Sequence, residues 1–168
     1  PIMLKYLLPV ALGALTVSAT GFTDEAKAPA DALNMLAGEW SWEHKTEIPG
    51  SQMFGGIEHE SNKDCLTDAM KPFTVQALMD ELTNDIPEQL GQKCKVHSVV
   101  PSSDGFDFKL TCTGPYAGEA SGKATLYSEE KVAINATGTL SLFGGAASGP
   151  FKMDAKAERL GTCPAKKG

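Results

Sequence analysis

The chain has 168 residues, a formal net charge of −6, and 42% hydrophobic against 7% aromatic residues. That length suits one domain with one core. The acidic balance excludes electrostatic binding of nucleic acid, which needs clustered Lys and Arg on the phosphates, and the longest basic run is Lys166-Lys167.

Lys5, the apolar run Tyr6 to Val17 and the small residues Val17-Ser18-Ala19 open the sequence. The run is short for a bilayer span, so residues 1–19 are predicted to be a cleavable signal peptide that leaves no stable membrane span. Residues 20–37 are polar and Ala-rich and read as a leader or linker, with a short helix from Ala30 to Leu36. A single β-rich domain is expected over 38–165.

In GEWSWEHKTEI, residues 38–48, Trp40, Trp42, His44, Thr46 and Ile48 share one face and Glu39, Ser41, Glu43, Lys45 and Glu47 the other. That alternation predicts a half-buried strand, ended by Pro49-Gly50. A second strand is predicted over 53–65, with Gly55-Gly56 marking a bulge. The period then changes. Val75, Leu78, Met79 and Leu82 fall at i, i+3, i+4 and i+7, one stripe of a helix over about 74–90 with Thr74 as N-cap and Pro87 limiting its length.

The remainder alternates as strands. Val96, Ser98 and Val100 share one phase, and Phe106, Phe108 and Leu110 share another, across a hairpin loop at Pro101–Gly105. Further strands are predicted at about 118–127, 130–142 and 150–160, with FGGAASGP (143–150) as a flexible connection. The fold class expected is mainly β (α+β), a curved antiparallel up-and-down sheet or half-barrel of about seven strands with one packed helix.

Four cysteines, Cys65, Cys94, Cys112 and Cys163, form an even set in a chain predicted to be exported, which implies two disulfides. Pairing Val100 with Phe106 sets Ser98 opposite Phe108, Val96 opposite Leu110 and Cys94 opposite Cys112. The register that matches the apolar residues therefore matches the sulfurs, and a one-residue slip would turn one apolar set outward. Cys94–Cys112 is predicted on that ground, leaving Cys65–Cys163. No CxxC occurs, and no short-spaced Cys or His pair supplies a compact zinc knuckle.

The ordered set Gly38-Glu39-Trp40, Cys65-Leu66-Thr67, a helical segment, Cys94, an Asp-Gly hairpin, Cys112 and the closing LGTCP at 160–164 resembles the domain-of-unknown-function 3617 family, small exported four-cysteine proteins of Gram-negative bacteria. The resemblance spans about residues 36–165. It implies a periplasmic, disulfide-bonded domain, and it carries over no functional residues.

Candidate chemistry is sparse. His44 and His59 would meet if the first two strands form a hairpin, and with a carboxylate they would suit a metal-binding protein or a metal-dependent enzyme. No GxSxG motif is present. The expectation is a non-enzymatic periplasmic module without cofactor, metal or catalytic residues, binding a small apolar ligand or an envelope protein. Trp40, Trp42, Phe106 and Phe108 are its expected lining. A purely structural envelope protein is the further alternative. Two histidines and a carboxylate converging in a cleft would favour the metal reading, and an apolar cavity without them the binding module.

Overall fold

The computed structural model describes residues 27–50, 58–84 and 88–165. Seven strands build one antiparallel sheet: β1 (Gly38–Glu47), β2 (Glu58–Leu66), β3 (Lys93–Ser102), β4 (Gly105–Thr113), β5 (Tyr116–Ser128), β6 (Lys131–Leu142) and β7 (Ala147–Gly161). One helix, α1 (Val75–Thr83), lies between β2 and β3 in the chain. The signal peptide predicted over 1–19 and the bulge predicted at Gly55-Gly56 lie outside the described residues.

The strand order is β2-β1-β7-β6-β5-β4-β3. Each strand neighbours its partners in sequence, and β7 turns back onto β1. This is the cyclic order of an up-and-down barrel, opened at the single step between β2 and β3. The connection across that opening carries α1. The sheet curls, because one cavity is lined both by Glu60 on β2 and by Cys94 on β3, the two edge strands.

Alternation drives the strands. On β7, Phe151, Met153, Ala155 and Ala157 are buried and Lys152, Asp154, Lys156 and Glu158 exposed. Phe106, Phe108, Leu110 and Cys112 on β4 and Val132, Ile134, Ala136 and Leu140 on β6 face the same core. Each large side chain removed from water there contributes about 1.5–3 kcal/mol.

The helix covers its apolar stripe but is shorter than the span of about 74–90 predicted for it. It ends at Thr83, and a separate 3-10 turn occupies Glu88–Leu90. Its start is fully capped. Val75 N donates to Asp31 O, Gln76 N to the Asp31 carboxylate and Ala77 N to Thr74 Oγ1, at 2.9–3.1 Å. Those are the N–H groups that a helix cannot satisfy internally. Asp31 belongs to the segment read as leader. Over 30–36, where a short helix is predicted, the chain is not helical: Ala32 is bridged to Thr74, and Leu33 and Met35 are buried.

Both disulfides are formed as expected, Cys94–Cys112 and Cys65–Cys163. In the β3–β4 hairpin, Cys94 faces Cys112 and Val96 faces Leu110. The predicted register then fails. A bulge between His97 and Val100 moves Val100 opposite Asp107 and Pro101 opposite Phe106. Ser98 sits at φ 52°, the left-handed turn that absorbs the extra residue. Val99 therefore packs on the core in place of Val100, which is 58% exposed.

The connection read as flexible over 143–150 is a 3-10 turn at Phe143–Gly145, after which β7 starts at Ala147.

Candidate ligand-binding cavity

The two ends of the curled sheet differ. At one end β1 begins, β2 and β7 finish, and β5 turns into β6. The 31–37 segment crosses this end, from Leu33 N on Phe73 O (2.7 Å) to Leu36 N on Glu129 O (3.0 Å). Trp40 is fully buried beneath it, and its indole N–H donates to Leu36 O at 2.9 Å. Phe106 and Phe108 pack there too, with ring centroids 6.3 Å apart. The Phe108 ring lies so close over Gly122 that a Cβ on that glycine would meet it at 2.3 Å. Small residues on β5 thus make room for the rings of β4. This end is a plug.

The other end is hollow. A cavity of about 330 Å³ is walled by Met79 of α1, Leu110 of β4, Tyr116 of β5, Leu140 of β6 and Phe151 and Met153 of β7. A second space of about 460 Å³ runs along the side of the sheet between α1 and the β1–β2 hairpin, from Leu82, Leu78 and Trp42 to Phe73, Leu33 and Met35 beside the plugged end. His44 and Leu82 line both, so the two spaces meet at those side chains. Their volumes fall within the range of small-molecule sites, which are mostly apolar with few polar groups.

The slot between α1 and β2 follows from the sequence of both elements. α1 leans on β3, burying Val75 and Met79. Gln76 fastens it, donating to Cys94 O and accepting from Val96 N, both at 2.8 Å. The face of β2 in register with Trp40, Trp42 and His44 carries Asp64, Asn62 and Glu60. These polar side chains give the helix no apolar surface to close on. Glu60, Asp64 and, across the slot, Glu81 are the carboxylates that border the two spaces.

Of the four side chains expected to surround a ligand, Trp42 lines the 460 Å³ slot, whereas Trp40, Phe106 and Phe108 are plug residues that border neither space. The alternation showed which way they point but not which end of the sheet is filled. The lining that sequence reasoning missed carries the same alternation signal, Leu110 farther along β4 and Tyr116, Leu140, Phe151 and Met153 on β5, β6 and β7.

The histidines do not converge. His44 is in register with Glu60, and its Nε2 lies 3.4 Å from Glu60 Oε2. His59 is in register with Lys45, one residue on, and so faces the opposite side of the sheet. His97 Nδ1 meets Ser98 Oγ at 3.0 Å and Nε2 meets Thr111 Oγ1 at 2.8 Å, so among the described residues both ring nitrogens face hydroxyls rather than a carboxylate that would orient the ring as a general base. Among the described residues no three His, Cys, Asp or Glu side chains are grouped to hold a metal ion. A larger groove of about 1220 Å³ on the β3 side of α1 is bordered by Gln76, Asp80, Lys93, Lys95 and Thr111. It is open to water and lacks an enclosing apolar wall.

Two disulfides fit an oxidising, exported environment. Among the described residues no helix is long and apolar enough to cross a membrane. Comparison with curated proteins and with solved structures finds no match. The model of one family, described as protein of unknown function (DUF3617), matches residues 35–163, which takes in all seven strands, α1 and both cysteine pairs. On that match the chain belongs to the DUF3617 family.

Proposed function

We propose that this protein is a periplasmic, non-enzymatic binding module, exported by a signal peptide over 1–19 and folded as one domain, whose hollow end takes a small apolar ligand. The observation that carries this reading is the pair of spaces, about 330 Å³ in the hollow end of the sheet and about 460 Å³ under α1, that adjoin at His44 and Leu82. An apolar ligand entering them leaves water without displacing a packed core, and burial of its surface supplies the binding energy. The separation of His44 from His59 by the sheet supports binding over metal chemistry.

The test uses the neutral dye 1-N-phenylnaphthylamine with the oxidised protein, alongside native mass spectrometry of protein isolated from the periplasm. Saturable dye fluorescence is expected, together with a small-molecule adduct in the native spectrum. Leu82→Trp, on a side chain that borders both spaces and is 36% exposed, is expected to take up part of their volume and weaken dye binding roughly tenfold. A clean apo mass with no saturable dye signal would overturn the reading.

A further inference from the structure

Resting on that reading, we infer that the ligand is an amphiphile with a cationic head group, its apolar tail in the inner cavity and its head in the slot between α1 and β2. The charges around the two spaces are one-sided. Asp64 and Glu81 border the slot, Glu60 borders the cavity beside His44, and no Lys or Arg is among the described lining residues of either. The lysines of β1 and β2, Lys45 and Lys63, are in register with His59 and Ser41 and so occupy the outer face.

Trp42 adds an independent preference. It is half-buried on the slot wall, tilted against Trp40 at a centroid distance of 6.5 Å. An indole face beside carboxylates is the combination that attracts alkylammonium groups, through the ring quadrupole and through charge. An anionic head in the same place would meet like charges, and because the three carboxylates are exposed the discrimination should weaken as salt is added. Away from Glu60 and His44, the inner cavity is walled by Met79, Leu110, Leu140, Phe151 and Met153, an uncharged surface for a tail.

The experiment displaces bound 1-N-phenylnaphthylamine from the oxidised full chain with three dodecyl amphiphiles below their micellar concentrations, trimethylammonium, maltoside and sulfate. The trimethylammonium compound is expected to act at roughly tenfold lower concentration than the sulfate, with the maltoside between them. Asp64→Asn with Glu81→Gln should bring the ammonium and sulfate midpoints together, and Trp42→Leu should weaken the ammonium compound more than the sulfate. Equal midpoints in the unmodified protein, or the sulfate acting first, would overturn the head-group inference and leave the apolar-ligand reading standing. Failure of all three to displace the dye, or of the dye to bind, would overturn both.

Discussion

Two glutamine side chains act as one-residue strands. The amide of Gln76 bonds Cys94 O and Val96 N, flanking Lys95 as a parallel neighbour would. Gln92 donates to Tyr116 O at 3.0 Å and accepts from Tyr116 N at 2.9 Å, the exchange made by a hydrogen-bonded antiparallel pair. Both satisfy backbone groups that no main chain reaches. Gln76→Ala should therefore cost about 1–2 kcal/mol, the net worth of two hydrogen bonds. Gln76→Glu should cost more at neutral pH despite its matching shape. It turns a donor into an acceptor facing Cys94 O and places a second charge beside Asp80, which Gln76 Nε2 now contacts at 2.8 Å. Urea unfolding at pH 7 checks the ranking, and an equal or smaller loss for Glu would contradict it. The hairpin loop holds a second residue-scale test. The hydrogen bond from Lys123 holds the Asp104 carboxyl below the ordinary aspartate range, and the same contact raises Lys123. A lowered carboxyl pKa adds stability above the unfolded value that is lost as pH falls through the folded one. A raised lysine adds stability below its unfolded value that is lost as pH rises through the folded one. The pair should thus act between about pH 4 and pH 10. Asp104→Asn should flatten the flanks of the stability–pH curve relative to the unmodified protein while changing the slope between pH 5 and 9 little. A Tm series across pH reads this directly.

The β3–β4 hairpin shows how a correct pattern yields a partly incorrect element. Pairing by apolar match holds from Lys93–Thr113 to His97–Lys109 and slips at the bulge. The slip assigns opposite fates to adjacent valines. Val99→Ala should cost about 1 kcal/mol, since it strips a side chain packed on the core, whereas Val100→Ala should stay within roughly 0.5 kcal/mol. The reverse ranking would show that the hairpin keeps the unbulged register in solution. Much else at this scale was legible. β7 and β4 alternate without interruption, so their faces follow from sequence alone, and the Cys94–Cys112 bridge follows from register. What was not legible depends on contacts distant in sequence. Leu33 and Met35 alternate too briefly to read as a strand, and their burial needs Phe73 and Glu129 as neighbours. The position of the cavity needs the 31–37 segment folded over one end and Phe108 set against Gly122. No periodicity in β4 separates plug residues Phe106 and Phe108 from cavity residue Leu110.

For the whole molecule, the decisive feature is a barrel order broken at one step. The β3–β7 meander is joined by successive turns, whereas β2 is an edge strand paired to β1 alone. The Cys65–Cys163 bridge compensates for that. Cys65 is in register with Glu39 of β1, and Glu39 with Gly161 of β7, so the bridge passes beyond the start of β1 to tie the edge strand to the tail after β7. It joins residues 98 apart, against 18 for Cys94–Cys112. In the chain-entropy account the longer loop is worth about 4–5 kcal/mol and the shorter about 3 kcal/mol. The consequence goes beyond that ranking, because β2 is also the polar wall of the slot. Replacing Cys65 and Cys163 with Ala should lower stability by the larger amount and speed amide exchange in β2 ahead of β4, β5 and β6. It should also weaken 1-N-phenylnaphthylamine binding under conditions where the meander stays folded. Replacing Cys94 and Cys112 should instead loosen β3 and the seat of Gln76, shifting exchange in α1 and β3 first. Exchange that rises uniformly in both variants would mean that the sheet opens as one unit and that neither bridge guards a particular edge.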